Sequence, residues 1–193
     1  VQEQCVIALK RIESQKTLAE EYLGKLDELV KSRFVEMFGD PTIDGGWCYY
    51  GPIKNYCDIV TGNTPSRKDP DNYGNYIEWI KTDNITDETI LTHAKECLSE
   101  KGLSVGRSAP AGSVLMACIA GSVKSIGKVA VADRDVAFNQ QINALVPNEA
   151  VATEYLLWML KLSKDYLCSN INMQLKGSLN KKTLSEKSFL IPP

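Results

Sequence analysis

The chain has a single histidine, His93, in 193 residues. Any Ser-His-Asp or Cys-His catalytic arrangement would have to use it, and its surroundings, Leu91-Thr92-His93-Ala94, carry nothing that marks a nucleophile. Paired cysteines are also missing. Cys5, Cys48, Cys57, Cys97, Cys118 and Cys168 contain no Cys-x-x-Cys spacing, so no zinc pattern assembles. Their scatter fits thiols used as small buried hydrophobes in a reducing cytosol. No apolar run approaches the ~20 residues of a membrane span. The opening Val1-Gln2-Glu3-Gln4-Cys5 is not a basic region followed by an apolar stretch, and it lacks an initiating Met, as a cut or trimmed chain would. The carboxylates Asp69, Asp71, Asp83, Asp87 and Glu88 lack the spacing of a calcium loop. There is no glycine-rich loop after a first strand and no amide/acid-Pro-Pro-aromatic motif, so methyl-transfer chemistry is not expected either. No catalytic residue, metal site or cofactor is predicted.

Basic excess is absent too: the formal net charge is −2, which by itself argues mildly against nucleic acid. The distribution matters more. Net charge is −2 over residues 1–40, −5 over 41–100 and +5 over 101–193, which permits a basic face on an acidic chain.

What is present begins with a helix. Over residues 5–38, Cys5, Leu9, Ile12, Ala19, Leu23, Leu26 and Val30 recur in alternating steps of four and three, with Lys16 and Arg33 at the remaining seam positions. This is a heptad seam about 50 Å long at 1.5 Å per residue. Gly39 supplies a C-cap and Pro41 blocks continuation. Such a stripe needs a partner helix, and the other long helical pattern, from Thr153 to about Ser169, is roughly half as long. Residues 1–40 are therefore predicted to be a coiled-coil arm with its interface at Leu9, Ile12, Ala19, Leu23, Leu26 and Val30.

Residues 41–193 read as a separate domain. Short apolar runs at 56–60, 76–80, 113–119, 128–132 and 142–146 are separated by turn signals such as Gly62-Asn63 and Asp69-Pro70-Asp71-Asn72. Asn180 caps a short helix over 180–186, and Ser188-Phe189-Leu190-Ile191 forms a last strand before Pro192-Pro193. The fold class expected is α+β, a mixed globule with a long projecting helix.

Gly121-Ser122-Val123-Lys124-Ser125-Ile126-Gly127-Lys128 fails as a P-loop: five residues separate the glycines and Val129 follows the lysine. It reads instead as a strand-to-strand turn that offers Ser122, Lys124, Ser125 and Lys128 to a phosphate backbone. Three other polar segments have the same character. One is the loop with Thr64, Ser66, Arg67 and Lys68. A second is the strand end with Lys81, Thr82 and Asn84, and a third is Asn139-Gln140, placed at the start of a strand. Lys176, Ser178 and Lys181 lie in a late basic stretch. Asn and Gln pair bidentately with adenine, and Arg or Lys with guanine. Together these sixteen residues are the predicted DNA contacts.

In order along the chain, several motifs resemble type I restriction-modification specificity subunits. They are Thr61-Gly62-Asn63-Thr64-Pro65-Ser66, Ile77-Glu78-Trp79-Ile80-Lys81-Thr82-Asp83-Asn84-Ile85, Ala111-Gly112-Ser113-Val114-Leu115-Met116, Gly121-Ser122 with Ile126-Gly127-Lys128-Val129-Ala130, Asn139-Gln140-Gln141 and Phe189-Leu190-Ile191-Pro192-Pro193. The helix end Phe34-Val35-Glu36-Met37-Phe38-Gly39-Asp40-Pro41 looks typical of the family as well. The resemblance implies a non-catalytic cytoplasmic subunit: one target-recognition domain reads half of a split site on double-stranded DNA, and the helix acts as a spacer. The implied partners are modification subunits, which carry S-adenosylmethionine and methylate adenine, and a restriction subunit. Such subunits run domain, helix, domain, helix, so a fragment or half-subunit is expected, with association of two chains through the coil. The competing expectation is a coiled-coil oligomerisation protein whose globular part binds another protein and has no DNA role.

Overall fold

The first element is a 37-residue helix, α1 (Gln2–Phe38), roughly 55 Å long at 1.5 Å per residue. No proline interrupts it, and it stops where the sequence predicts. Gly39 takes φ of 78°, and its N–H closes onto the Val35 carbonyl at 2.8 Å, a left-handed cap for which glycine carries no steric penalty. The seam is open to solvent: Leu9, Ile12, Leu23, Leu26 and Val30 are 40–63% exposed, and Leu18, Tyr22 and Leu29 beside them are equally bare. No described helix is long and apolar enough to cross a membrane. The computed structural model describes residues 2–46, 48–119, 125–169 and 178–193, and these fall into two compact units, Val1–Gly39 and Asp40–Pro193.

The second unit is α+β. Its elements are β1 (Tyr49–Pro52), β2 (Cys57–Thr61), β3 (Tyr73–Gly74), β4 (Ile77–Ile80), β5 (Cys97–Leu98), α2 (Glu100–Val105), β6 (Ser108–Ala109), β7 (Val114–Ala117), β8 (Val129–Val131), β9 (Val136–Phe138), β10 (Ile142–Pro147), α3 (Thr153–Leu162), α4 (Lys164–Cys168), α5 (Lys181–Ser185) and β11 (Ser188–Ile191). Among the described residues the strands form an antiparallel four-stranded sheet, β2-β10-β7-β8, and a five-stranded one, β3-β5-β4-β9-β6, in which β4 and β9 run parallel. β1 and β11 pair as a ribbon. Strands β7 and β10 lie inside their sheet with both neighbours present. Every residue of β7 is buried, as are the first four of β10, which is why they read as unbroken apolar runs rather than alternations. The core lies between the two larger sheets: Ile80, Val136 and Phe138 from one pack with Leu115, Ala117, Ala130, Ile142 and Ala144 from the other. Helix α3 covers β7 and β8 with Leu156, Leu157, Met159 and Leu160.

Three sequence expectations are corrected. The helix predicted from Thr153 to about Ser169 is two helices, because Ser163 adopts φ −95° and ψ 17° and turns the chain between them. Asn139 and Gln140 do not start a strand. They form the turn between β9 and β10, held by the Gln141 N–H on the Asn139 side chain at 3.0 Å. That turn carries the chain from one sheet to the other. Of the cysteines, Cys57 and Cys118 are buried, but Cys5 is exposed and Cys48, Cys97 and Cys168 are partly so.

Candidate nucleic-acid interface

The strand directions gather loops at one edge. β10 pairs antiparallel with both β2 and β7, so Thr61 lies opposite Asn143 and Ala117 opposite Ile142. The end of β2 and the end of β7 therefore meet the start of β10. In the other sheet β4 runs parallel to β9, with Ile80 beside Phe138, so both strands end at the turn that leads into β10. Backbone hydrogen bonds tie the loops to this turn. Asn63 N–H donates to Phe138 O at 3.1 Å, Asn139 N–H to Ile80 O at 3.1 Å, and Cys118 N–H to Gln141 O at 2.8 Å. Ser178 reaches the same place through a bridge to Ile119. Gly62 makes the close approach feasible: a Cβ there would stand 2.2 Å from the Asn139 carbonyl oxygen.

The predicted contact residues divide under this geometry. Thr64 and Gln140 meet, the Thr64 hydroxyl donating to the Gln140 carboxamide oxygen. Ser66, Arg67 and Lys68 continue the same exposed loop, and Lys81 and Thr82 follow β4 at the neighbouring strand end. Asn84 and Asn139 are buried. The Asn84 carboxamide accepts from Lys81 N–H at 3.0 Å and donates to His93 O at 3.0 Å, while Asn139 brackets its own turn. Both carboxamides are engaged within their own loops in the free chain. Ser125 and Lys128 lie on the β7–β8 connection, and Lys128 pairs with Asp87 at 2.8 Å. Lys181 opens α5 behind the Asn180 cap, whose side chain accepts from Thr183 N–H at 2.8 Å. Ser122, Lys124 and Lys176 lie outside the described residues.

Carboxylates that the sequence did not mark as partners of these cations now matter. Glu96 accepts from Arg67 at 2.7 Å and from Lys81 at 2.8 Å. Those two cations hold its carboxyl below the ordinary range, Lys81 contributing most. Arg67 also lies 4.9 Å from the centroid of the Tyr73 ring and 5.5 Å from that of Trp79, with Lys81 5.2 Å from the same indole. Asp87 draws in Lys161 and Lys164 from α3 and α4 as well as Lys128, a basic cluster split over two segments far apart in sequence. Glu78, beside an open cleft of about 590 Å³, holds Arg134 through two bonds of 3.0 and 2.7 Å. Burial pushes its carboxyl up, but the Arg134 guanidinium, the Ala94 N–H and His93 outweigh that and hold it at about 2. Lys68 and Lys181 are exposed and have no carboxylate partner among the described residues.

Residues 50–193 match the family described as the type I restriction modification DNA specificity domain. A specificity subunit of the HindI type I restriction enzyme from Haemophilus influenzae is 30% identical over 105 residues, which is 53% of this chain and 22% of that protein. A chain from a solved structure on complex assembly and conformational transition of the type I R-M system superposes with a TM-score of 0.70 at 20% identity, covering 96% of this chain and 44% of that one. The HsdS subunit from Thermoanaerobacter tengcongensis gives 0.63 at 19% identity, covering 95% and 43%. At these identities the solved structures share the fold, and the chain spans less than half the length of each of these relatives.

Proposed function

This chain belongs to the type I restriction modification DNA specificity domain family, and from that premise we propose that its globular unit reads one half of a split duplex site while catalysing nothing itself. The observation that carries the reading is the convergence of four strand ends on the Asn139–Ile142 turn, which sets Thr64, Ser66, Arg67, Lys68, Lys81, Thr82 and Gln140 along one edge. Loops on such an edge can vary without disturbing the sheets behind them. Exposed Gln140, Thr64 and Ser66 are suited to base edges, and Arg67, Lys68, Lys81, Lys128 and Lys181 to phosphates. Asn84 and Asn139 serve by shaping the loops.

Helix α1 is assigned to a coiled coil through Leu9, Ile12, Ala19, Leu23, Leu26 and Val30, pairing with a further helix of the full subunit or with a second copy of the chain. A paired helix fixes the distance between two reading domains much as dimer geometry sets half-site spacing in other DNA readers. The partners are the modification subunits, which methylate, and the restriction subunit, in the cytoplasm. The test is co-purification of the chain, within its full-length subunit, with the modification subunit encoded beside it, followed by mapping of adenine methylation. A complex that methylates one split motif is expected. Absence of both a partner and salt-sensitive DNA binding would favour a coiled-coil interaction protein, to which the bare stripe of α1 is equally suited.

A further inference from the structure

Two cations that converge on one carboxylate describe an anion site with its occupant built in. The Arg67 guanidinium and Lys81 ammonium reach the two oxygens of Glu96 at 2.7 and 2.8 Å, and Arg67 and Glu96 are 58% and 37% exposed at their side chains. Two oxygens sharing one negative charge, met by a guanidinium and an ammonium, is also how a phosphodiester presents itself. We propose that Arg67 and Lys81 form a phosphate site which Glu96 fills in the free chain and vacates when a phosphate of bound nucleic acid takes its place. The nucleic-acid source rests on the DNA-reading assignment above; the site itself does not.

The surroundings fit an exchange of anions rather than a fixed brace. The cations are held independently of Glu96: Arg67 faces the Tyr73 and Trp79 rings and Lys81 faces Trp79, and cation–ring attraction persists whatever anion lies beyond. The Glu96 backbone is pinned, its carbonyl accepting from Trp79 N–H at 2.9 Å, so the side chain alone has to turn away. Glu78 is built the opposite way. It is 22% exposed, and a backbone N–H and a two-bond arginine fix both of its oxygens, which makes it a permanent brace. As a tethered competitor, Glu96 opposes any duplex that cannot supply further contacts, so it raises discrimination at the expense of general affinity.

The test compares the wild-type chain with Glu96→Gln and Glu96→Ala, following the Trp79 indole N–H resonance as inorganic phosphate is added and, separately, a short duplex. Both variants are expected to bind inorganic phosphate about tenfold more tightly than wild type, the size of one charge-assisted bond, and the gain disappears when Lys81→Ala is added. The duplex arm should show the same gain, with a smaller ratio between cognate and random sequence. Unchanged or weaker phosphate binding in both variants overturns the proposal, whether or not the wild-type chain binds DNA. A phosphate gain with no duplex binding by any form upholds the anion site and removes the DNA-reading assignment instead.

Discussion

Single side chains here do two kinds of work that residue type alone does not separate. Asn84 and Gln140 are both amides on candidate loops, yet one is buried with its carboxamide spent on Lys81 and His93 backbone, and the other is exposed. The sequence marked Arg67 and Lys81 as cations, but their shared carboxylate lies 29 and 15 residues away, beyond the reach of any local spacing rule. Glu78 gives the clearest residue-level prediction. Its carboxyl is held at about 2 against ~4.3 in an unfolded chain. Its contribution is therefore present above the unfolded value and lost as pH falls through about 2. Glu78→Gln should lower stability by about 2 kcal/mol at neutral pH, with the gap to wild type closing toward pH 2 in urea melts. A loss that stays constant across that range would refute an ionic origin.

Among the elements, α1 was legible because seven seam positions repeat over five turns or more and a glycine and a proline mark its end. Strands β2, β4, β7, β8 and β10 were legible as apolar runs. Strands β3, β5 and β6 were not, since each is two residues long and exists only because a neighbour pairs with it. Helix α2 escaped for a like reason: its six residues include a glycine, and only the Ser99 cap, accepting from Gly102 N–H at 3.0 Å, announces it. Two glycines bracket what the backbone demands. Gly62→Ala places a methyl 2.2 Å from one carbonyl oxygen and 2.5 Å from another, so a loss of about 3 kcal/mol is expected, together with loosening of the 61–68 loop. Gly24→Ala meets nothing within 4 Å in the middle of α1 and should raise helix stability by about 1 kcal/mol. Thermal melts of the two variants should move in opposite directions. The bare seam makes its own prediction: replacing Leu23 and Leu26 with Glu should abolish association of chains in sedimentation equilibrium, and unchanged association would move the contact off α1.

For the whole molecule, a net charge of −2 hides the arrangement that counts. Much of the acidic segment is spent on basic groups, Glu96 on Arg67 and Lys81, Asp87 on Lys128, Asp69 and Asp71 on Lys101. Composition showed the imbalance along the chain but could not show which charges cancel, because that depends on the pairing of distant strands. Among the described residues, Lys68 and Lys181 have no carboxylate partner. Each changed to Ala should weaken binding to every duplex alike and flatten the slope of log affinity against log salt by about 1. A loss confined to one sequence would place that lysine on a base edge instead. The β1–β11 ribbon sets Tyr49 against Ile191 and Pro52 against Ser188, and Leu190 N–H donates to Pro41 O at 2.8 Å. The unit is thus fastened by a seam between segments about 140 residues apart. A ribosome must deliver nearly all of it before that seam can form, and until then β1 waits as an unpaired edge. Growth of the chain, rather than its chemistry, then decides when this unit is first closed.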